Sequence, residues 1–247
     1  MKTITVACAL ALSAGAAMAG LTAEGVQYSG DTVTVDMSTG AVSHSSRTSA
    51  LIYDNTNTAE GAFSSTDLGA TWGDQLGTLG TGALEACEFS VYNSGSSAGA
   101  LDTASFNISF YRASDSTFIG GFTTGTVTFG GGAGLDAGFF TTVNVTGLDG
   151  LGINLDTTDI IMTQSVAAYT GATTRLGFVF GGPLLAGTTS PDSVYLDATT
   201  VGTPGFYTLT NGGVPTVANA FYSITVPSPA SAGLLGLGGL VAVRRRR

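Results

Sequence analysis

Between residues 20 and 226 the chain alternates polar and apolar residues with a period of two. The segment 105–110, SFNISF, does so without a break. Because successive side chains of a strand point to opposite faces, this pattern is typical of a half-buried β-strand. Threonine, valine, tyrosine and phenylalanine fill these segments, which is the composition of strands. Similar runs lie at 32–36, 50–53, 85–92, 125–129, 141–145, 159–164, 175–180, 192–196, 205–209 and 220–226.

Turn-forming residues separate the predicted strands, and no part of this region shows a sustained helical pattern of apolar positions. Examples are NSGSS at 93–97, GGG at 130–132, GGP at 181–183 and NGG at 211–213. Ten or eleven short strands with regular turns predict an all-β fold, an antiparallel β-sandwich of jelly-roll-like topology. The longest stretch without a clear strand pattern is 54–80, which we expect to be a loop carrying the single tryptophan, Trp72.

The N-terminus has the three parts of a secretory signal peptide. Lys2 provides the positive charge, residues 4–18 form an apolar, alanine-rich run, and Ala17 and Ala19 make an A-x-A cleavage site. We therefore expect residues 1–19 to be a signal peptide that passes through the general secretion machinery. Signal peptidase would then cut before Gly20, so the chain is predicted to be exported.

The C-terminus also has three parts: a proline-bounded break, an apolar run at 230–243 and a basic block. The break is formed by Val226, Pro227, Ser228 and Pro229, the apolar run carries Leu234, Leu235, Leu237, Leu240 and Val241, and the block is Arg244, Arg245, Arg246 and Arg247. As a helix the run reaches only ~21 Å, less than the ~30 Å hydrocarbon core of a bilayer. Arginine side chains on the cytoplasmic side are expected to complete the anchor by snorkelling. The prolines prevent this helix from continuing back into the domain.

Together these three parts resemble a PEP-CTERM sorting signal, the C-terminal tag of a class of exported bacterial proteins. The family usually has glutamate between the two prolines, where this chain has Ser228. The resemblance covers 226–247 and implies that an exosortase-like membrane peptidase recognises and cuts the tail. It implies a transient anchor in the inner membrane and then a place at the cell surface or outside the cell. The sequence thus divides into a signal peptide (1–19), a β-sandwich domain (20–226) and a sorting tail (227–247).

The charge of the domain limits its partners. Without Lys2 and the four terminal arginines, three arginines remain against seventeen acidic residues, a net charge of −14 with neutral histidine. Such a surface repels DNA, RNA and anionic lipid, so we expect no nucleic-acid partner. It suits solubility or the attraction of divalent cations.

The cysteines and aspartates suggest little metal or redox chemistry. Cys87 stands alone once the signal peptide is lost, so no internal disulfide forms, and its phase with Phe89 predicts a buried position. One cysteine and one histidine are too few for a zinc site. A weak calcium candidate consists of oxygen ligands in a glycine-rich segment, at Asp149, Asn154, Asp156 and Asp159. Their spacing matches no EF-hand, and solvated turn aspartates are the alternative.

We find no catalytic set in the sequence. His44 is the single histidine and no G-x-S-x-G segment accompanies it. Glu85 and Glu88 are three residues apart in a predicted strand, on opposite faces, which makes them a poor acid–base pair. The prediction is therefore that the protein is not an enzyme.

Three functions remain as hypotheses. The first is a structural or adhesive role in an extracellular polysaccharide layer. The second is a carbohydrate-binding module with Trp72 as a glycan contact; Tyr111, Tyr169 and Tyr207 are further candidates, with core or edge packing as the alternative for each. The third is a secreted hydrolase.

Overall fold

The computed structural model describes residues 27–40, 49–188, 193–199, 201–208, 210–211, 214–215 and 219–227. Throughout these ranges the chain is all-β, with eighteen strands, two short 3-10 turns and no α-helix. The predicted fold class is confirmed at this level. The predicted signal peptide, with Ala17, Ala19 and Gly20, lies outside the described residues.

The strands are numbered in chain order. They are β1 (Gln27–Asp36), β2 (Ser49–Asp54), β3 (Ala59–Ser65), β4 (Thr71–Gly77), β5 (Gly82–Ala83), β6 (Ala86–Asn93), β7 (Leu101–Arg112), β8 (Phe118–Thr123), β9 (Val127–Thr128), β10 (Phe139–Thr146), β11 (Asn154–Leu155), β12 (Asp159–Gly171), β13 (Leu176–Gly181), β14 (Val194–Asp197), β15 (Gly205–Tyr207), β16 (Thr210–Asn211), β17 (Val214–Pro215) and β18 (Tyr222–Pro227). The 3-10 turns are Gly130–Gly132 and Asp149–Leu151.

Most strands belong to two seven-stranded sheets. The first sheet has the order β1-β10-β6-β13-β3, and β18 joins β6 to β2 within it. The second has the order β15-β14-β4-β12-β7-β8, with β9 on β7. Successive strands of the chain change sheet repeatedly, as from β6 to β7 and from β12 to β13. The strand pairs β5–β11 and β16–β17 form separate two-stranded ribbons.

One pair departs from the predicted antiparallel sheet. β1 runs parallel to β10, with Val33 beside Val143 and Val35 beside Val145. Parallel neighbours cannot be joined by a tight hairpin, and these two strands are more than a hundred residues apart in the chain. The other strand pairs of the described region are antiparallel.

The two large sheets pack against each other over one hydrophobic core. Phe89 of the first sheet meets Phe106 of the second edge to face, with ring centroids 5.2 Å apart. Trp72 of the second sheet stacks on Phe178 of the first at 5.9 Å. Each fully buried side chain of this size contributes roughly 1.5–3 kcal/mol through removal from water. Cys87 is fully buried among them, as predicted.

The period-two pattern predicted most of the strands correctly. The segment 105–110 lies within β7, where Phe106, Ile108 and Phe110 are buried and the residues between them are partly or fully exposed. The predicted loop at 54–80 is wrong, because it contains β3 and β4. The inward positions of β4 include a carboxylate, Asp74, which breaks the apolar alternation.

Candidate functional site: the C-terminal strand and its junction with the tail

The last described strand, β18, lies inside the first sheet and not at its edge. It pairs antiparallel with β2 on one side and with β6 on the other. Tyr222 through Val226 are buried, because both edges of the strand are paired and its side chains meet the core. The strand that directly precedes the predicted sorting motif is therefore an integral part of the fold.

The buried side-chain amide of Asn55 forms hydrogen bonds with the backbone at the start of β18. The Asn55 side chain donates through Nδ2 to the carbonyl of Ala220 at 2.9 Å. Its Oδ1 accepts from the backbone N–H of Tyr222 at 2.8 Å. The backbone N–H of Asn55 donates to the carbonyl of Tyr222 at 3.2 Å. Asn55 thus supplies the hydrogen bonds that a neighbouring strand gives elsewhere in the ladder.

A buried carboxylate of the opposite sheet binds the same segment of backbone. Asp74 of β4 accepts from the backbone N–H of Ala220 at 2.8 Å and from that of Gln75 at 2.7 Å. Hydrogen bonds to an ionised acceptor are roughly twice as strong as neutral ones. Asp74 therefore ties the start of β18 in the first sheet to the second sheet.

A second set of polar contacts crosses the core at the point along β6 where its pairing partner changes from β18 to β13. Along β6, Tyr92 pairs with β13, whereas Phe89 pairs with β18. Between them lies Ser90, whose Oγ accepts from the backbone N–H of Val179 at 2.9 Å. Its carbonyl accepts from Nε2 of Gln164, a buried residue of the opposite sheet, at 3.0 Å. These bonds satisfy the backbone at the fork between β13 and β18.

Sequence reasoning missed Asn55, Asp74 and Gln164. The available signal was a polar residue in phase with buried apolar ones, as in Trp72-x-Asp74-x-Leu76. A buried polar group needs a partner, so such a position predicts a specific contact. The identity of that partner depends on the tertiary structure.

The junction with the tail follows immediately. Val226 pairs with Ala50 and is 5 % exposed, and Pro227 pairs with Ser49 and is exposed. Ser228 and Pro229, the membrane segment (Leu234, Leu235, Leu237, Leu240 and Val241) and the arginines 244–247 lie outside the described residues. In the described part of the chain no helix is long and apolar enough to cross a bilayer.

The structure does not bring the calcium candidates together. Asp156 pairs with Arg112, whose Nε lies 3.1 Å from Oδ1, and this hydrogen bond lowers the pKa of the Asp156 carboxyl. Asp159 accepts from Nε2 of Gln75 at 2.8 Å, and Asp149 lies in a 3-10 turn. The described residues contain no group of three or more histidine, cysteine, aspartate or glutamate side chains placed to hold a metal ion.

The aromatic candidates for glycan contact have different environments. Trp72 is 1 % exposed in the core, so its ring is not accessible to a glycan, and the prediction for this residue is corrected. Tyr207 donates from its hydroxyl to the carbonyl of Thr203. Tyr169 is 43 % exposed at the end of β12, and Tyr111 is half-buried against Phe118. His44 lies outside the described residues.

No protein-family model, curated protein or solved structure matches this chain. The sequence signals at the two ends and the geometry of β18 are therefore the features of this chain that bear on its function.

The position of β18 predicts the outcome of two truncations. A chain that ends at Pro229 keeps every described strand pair and is expected to unfold cooperatively at the same urea concentration as the full chain. A chain that ends at Ala220 leaves β2 and half of β6 without their partner, and is expected not to form a cooperative fold. Near-ultraviolet circular dichroism and urea denaturation measure both. A cooperative transition in the shorter chain would contradict the role assigned to β18.

The pKa of the Tyr222 hydroxyl predicts a pH dependence. Burial raises this pKa well above its ordinary value of 10.0, and the Asp74 carboxylate adds to the effect. The unfolded chain therefore loses this proton at a lower pH than the folded chain, and stability falls as the pH rises above ~10. In Tyr222→Phe the fall above pH ~10 is expected to be shallower, as measured by urea denaturation between pH 7 and 11. An unchanged slope would show that Tyr222 does not contribute.

Proposed function

We propose that this chain is an exported bacterial protein of the cell surface or extracellular matrix, sorted through a PEP-CTERM-type tail. Its β-domain has a structural or adhesive role in an exopolysaccharide layer and does not catalyse a reaction. The observation that carries the proposal is the three-part tail at 226–247, which starts where the last strand of the domain ends. The proposed jelly-roll-like topology is supported by two large sheets that exchange successive strands.

In the proposed sequence of events, the signal peptide directs export and is cut before Gly20. The apolar run and the arginines 244–247 then hold the chain in the inner membrane while the domain folds. An exosortase-like peptidase finally cuts the tail and releases or transfers the domain. Signal peptidase and the secretion machinery are the other partners.

The position of β18 supports a cut beyond the end of the strand. Residues 223–225 are paired on both sides, Val226 is paired with Ala50 and buried, and Pro227 is exposed. A peptidase needs an accessible, extended segment, so cleavage falls after Pro227. Removal of the tail at that point breaks none of the described strand pairs, which supports a tail used for sorting and not for folding.

One cavity of the described surface bears on the hydrolase hypothesis. A cavity of about 150 Å³ lies beside Phe129 and Gly130 and carries one carboxyl group, that of Asp136. Hydrolysis of a glycoside usually requires two convergent carboxyl groups. This cavity therefore does not favour the hydrolase hypothesis. The alternative of a carbohydrate-binding module is supported by a different surface, the side of the second sheet turned away from the core, where the half-buried Tyr111 packs against the exposed Phe118.

The proposal predicts the mass of the mature protein. Protein recovered from the surface and medium fractions of the native host is expected to begin at Gly20 and to lack Arg244 to Arg247. Its C-terminus is expected near Pro229. Intact mass spectrometry measures both ends in one experiment, and a sample from inner membranes collected early in expression serves as the control for the uncut tail. A mature protein that keeps Arg247 would contradict sorting by cleavage.

A further inference from the structure

The second sheet has one face against the core and one face turned away from it. In β12, Ile160, Met162 and Gln164 are fully buried in the core, so Ile161, Thr163 and Ser165 lie on the opposite side. We call the side away from the core in β7, β12, β4 and β14 the outer face. The strand register places its residues in three rows, which are Tyr111, Ile161 and Gln75; Ser109, Thr163, Gly73 and Tyr195; and Asn107, Ser165, Thr71 and Asp197.

Two aromatic pairs flank the outer face. On one side Tyr111 meets Phe118 of β8 edge to face, with ring centroids 5.5 Å apart. On the other side Tyr195 meets Phe206 of β15 in the same way at 5.7 Å. β12 and β4 lie between β7 and β14, so at about 4.8 Å per strand the two tyrosines are separated by ~14 Å across the sheet. Phe118 is 59 % exposed, and the other three rings are half-buried.

The middle of the outer face is closely packed. Ile161 and Thr163 are only 5 % and 6 % exposed, although they point away from the core. Gly73 has no side chain, and a Cβ there would collide with the carbonyl oxygen of Met162. The half-exposed rings of Tyr111 and Tyr195 lie on either side of these closely packed residues. We call the part of the outer face between the two tyrosines the trough.

The side chains of the trough are mostly polar and uncharged. The three rows hold serine, threonine, asparagine and glutamine besides Ile161, Gly73 and the two tyrosines. Two carboxylates lie at the ends of the outer face: Asp197 in the third row, and Asp159, which accepts from Gln75. The domain as a whole has a net charge of −14. An anionic polymer is repelled by that charge, and a cationic one finds only two carboxylates on this face, Asp159 and Asp197, each at the end of a strand. The charge pattern therefore selects a neutral ligand.

We propose that the outer face binds a neutral polysaccharide chain, with sugar rings packed against Tyr111 and Tyr195 and hydroxyl groups bonded to the side chains between them. Aromatic rings combine a large apolar contact area with little loss of conformational freedom, and amide and hydroxyl side chains both donate and accept. The inference rests on the proposed location outside the cell, where such polymers occur. It replaces Trp72 with surface residues as the glycan contacts.

Affinity electrophoresis of the exported protein tests this proposal. Native gels are cast with dextran, hydroxyethyl cellulose or galactomannan as neutral probes and with alginate as the anionic probe. We expect at least one neutral polymer to retard the protein and alginate not to. Tyr111→Ala and Tyr195→Ala are each expected to raise the dissociation constant obtained from the retardation about tenfold. This is the effect of losing a central aromatic contact.

Tyr169→Ala is the matched control. Tyr169 is an exposed tyrosine of the same sheet, in β12. It pairs with Ala104, which lies on the core side of β7, and is therefore not part of the three rows of the outer face. Its substitution is expected to leave retardation unchanged. Because loss of Tyr111 or Tyr195 could disturb the sheet, Ser165→Glu provides a second variant, which places a charge in the trough at a partly exposed position. This variant too is expected to raise the dissociation constant about tenfold. Only variants that keep the melting temperature of the unsubstituted protein are compared.

Three results would overturn the proposal: no retardation by any of the neutral polymers, retardation by alginate alone, or equal retardation of all variants. Each of these leaves the sorting proposal intact, because the mass of the mature protein is measured separately. Conversely, an uncut tail together with Tyr111-dependent retardation would remove the sorting proposal and keep the glycan site.

Discussion

The structure depends on the hydrogen bonds that the side chains of Asn55 and Asp74 form with the backbone at and just after Ala220. Asn55 belongs to the first sheet's side of the core and Asp74 to the second sheet, and both bind the same short stretch of backbone. Breaking a buried hydrogen bond of this kind costs roughly 1–3 kcal/mol for each group left without a partner. With the chain held there, β18 enters between β2 and β6 and completes the first sheet. Without that strand, β2 has no described neighbour in the sheet.

This constraint connects the fold with the proposed export pathway. The strand that completes the sheet is also the segment next to the proposed sorting tail, so in that pathway the core closes only after residues up to Val226 have crossed the membrane. Seven residues separate Val226 from Leu234, and a fully extended segment of that length spans at most ~25 Å. In the proposed pathway an uncut tail therefore keeps the folded domain close to the bilayer, within reach of a membrane peptidase. The proposed cleavage beyond Pro227 then frees a domain whose described strand pairs are already complete.

The sequence was sufficient for the fold class and for strands with regular alternation, such as 105–110, because that pattern is a direct consequence of having one buried face. It was insufficient where the inward residues are polar or absent. In β4, Gly73 and Asp74 interrupt the apolar pattern, so Trp72 was assigned to a loop although it packs on Phe178. The parallel pairing of β1 with β10 could not be predicted from the sequence either, because the local pattern of polar and apolar residues does not specify which strand is the partner.

The candidate glycan surface shows the same limit. Tyr111 was identified from the sequence, but Tyr195 lies in a different strand, and the chain alone does not show that the two flank one face. Only the register of β7, β12, β4 and β14 brings the tyrosines and the intervening polar residues together. Tyr111 was named from the sequence and Tyr195 was not, and the arrangement of both required the pairing of four strands.

Amide hydrogen exchange tests the central claim most directly, that β18 is a closed, internal strand in the protein that still carries its tail. The account predicts that the amides of Tyr222, Ile224 and Val226 exchange among the slowest in the full chain, and equally slowly in the chain that ends at Pro229. In Asn55→Ala they are expected to exchange faster, while Phe106 and Ile108 of β7 remain protected longer. Rapid exchange of the β18 amides in the full chain, with protection only after the tail is removed, would contradict it.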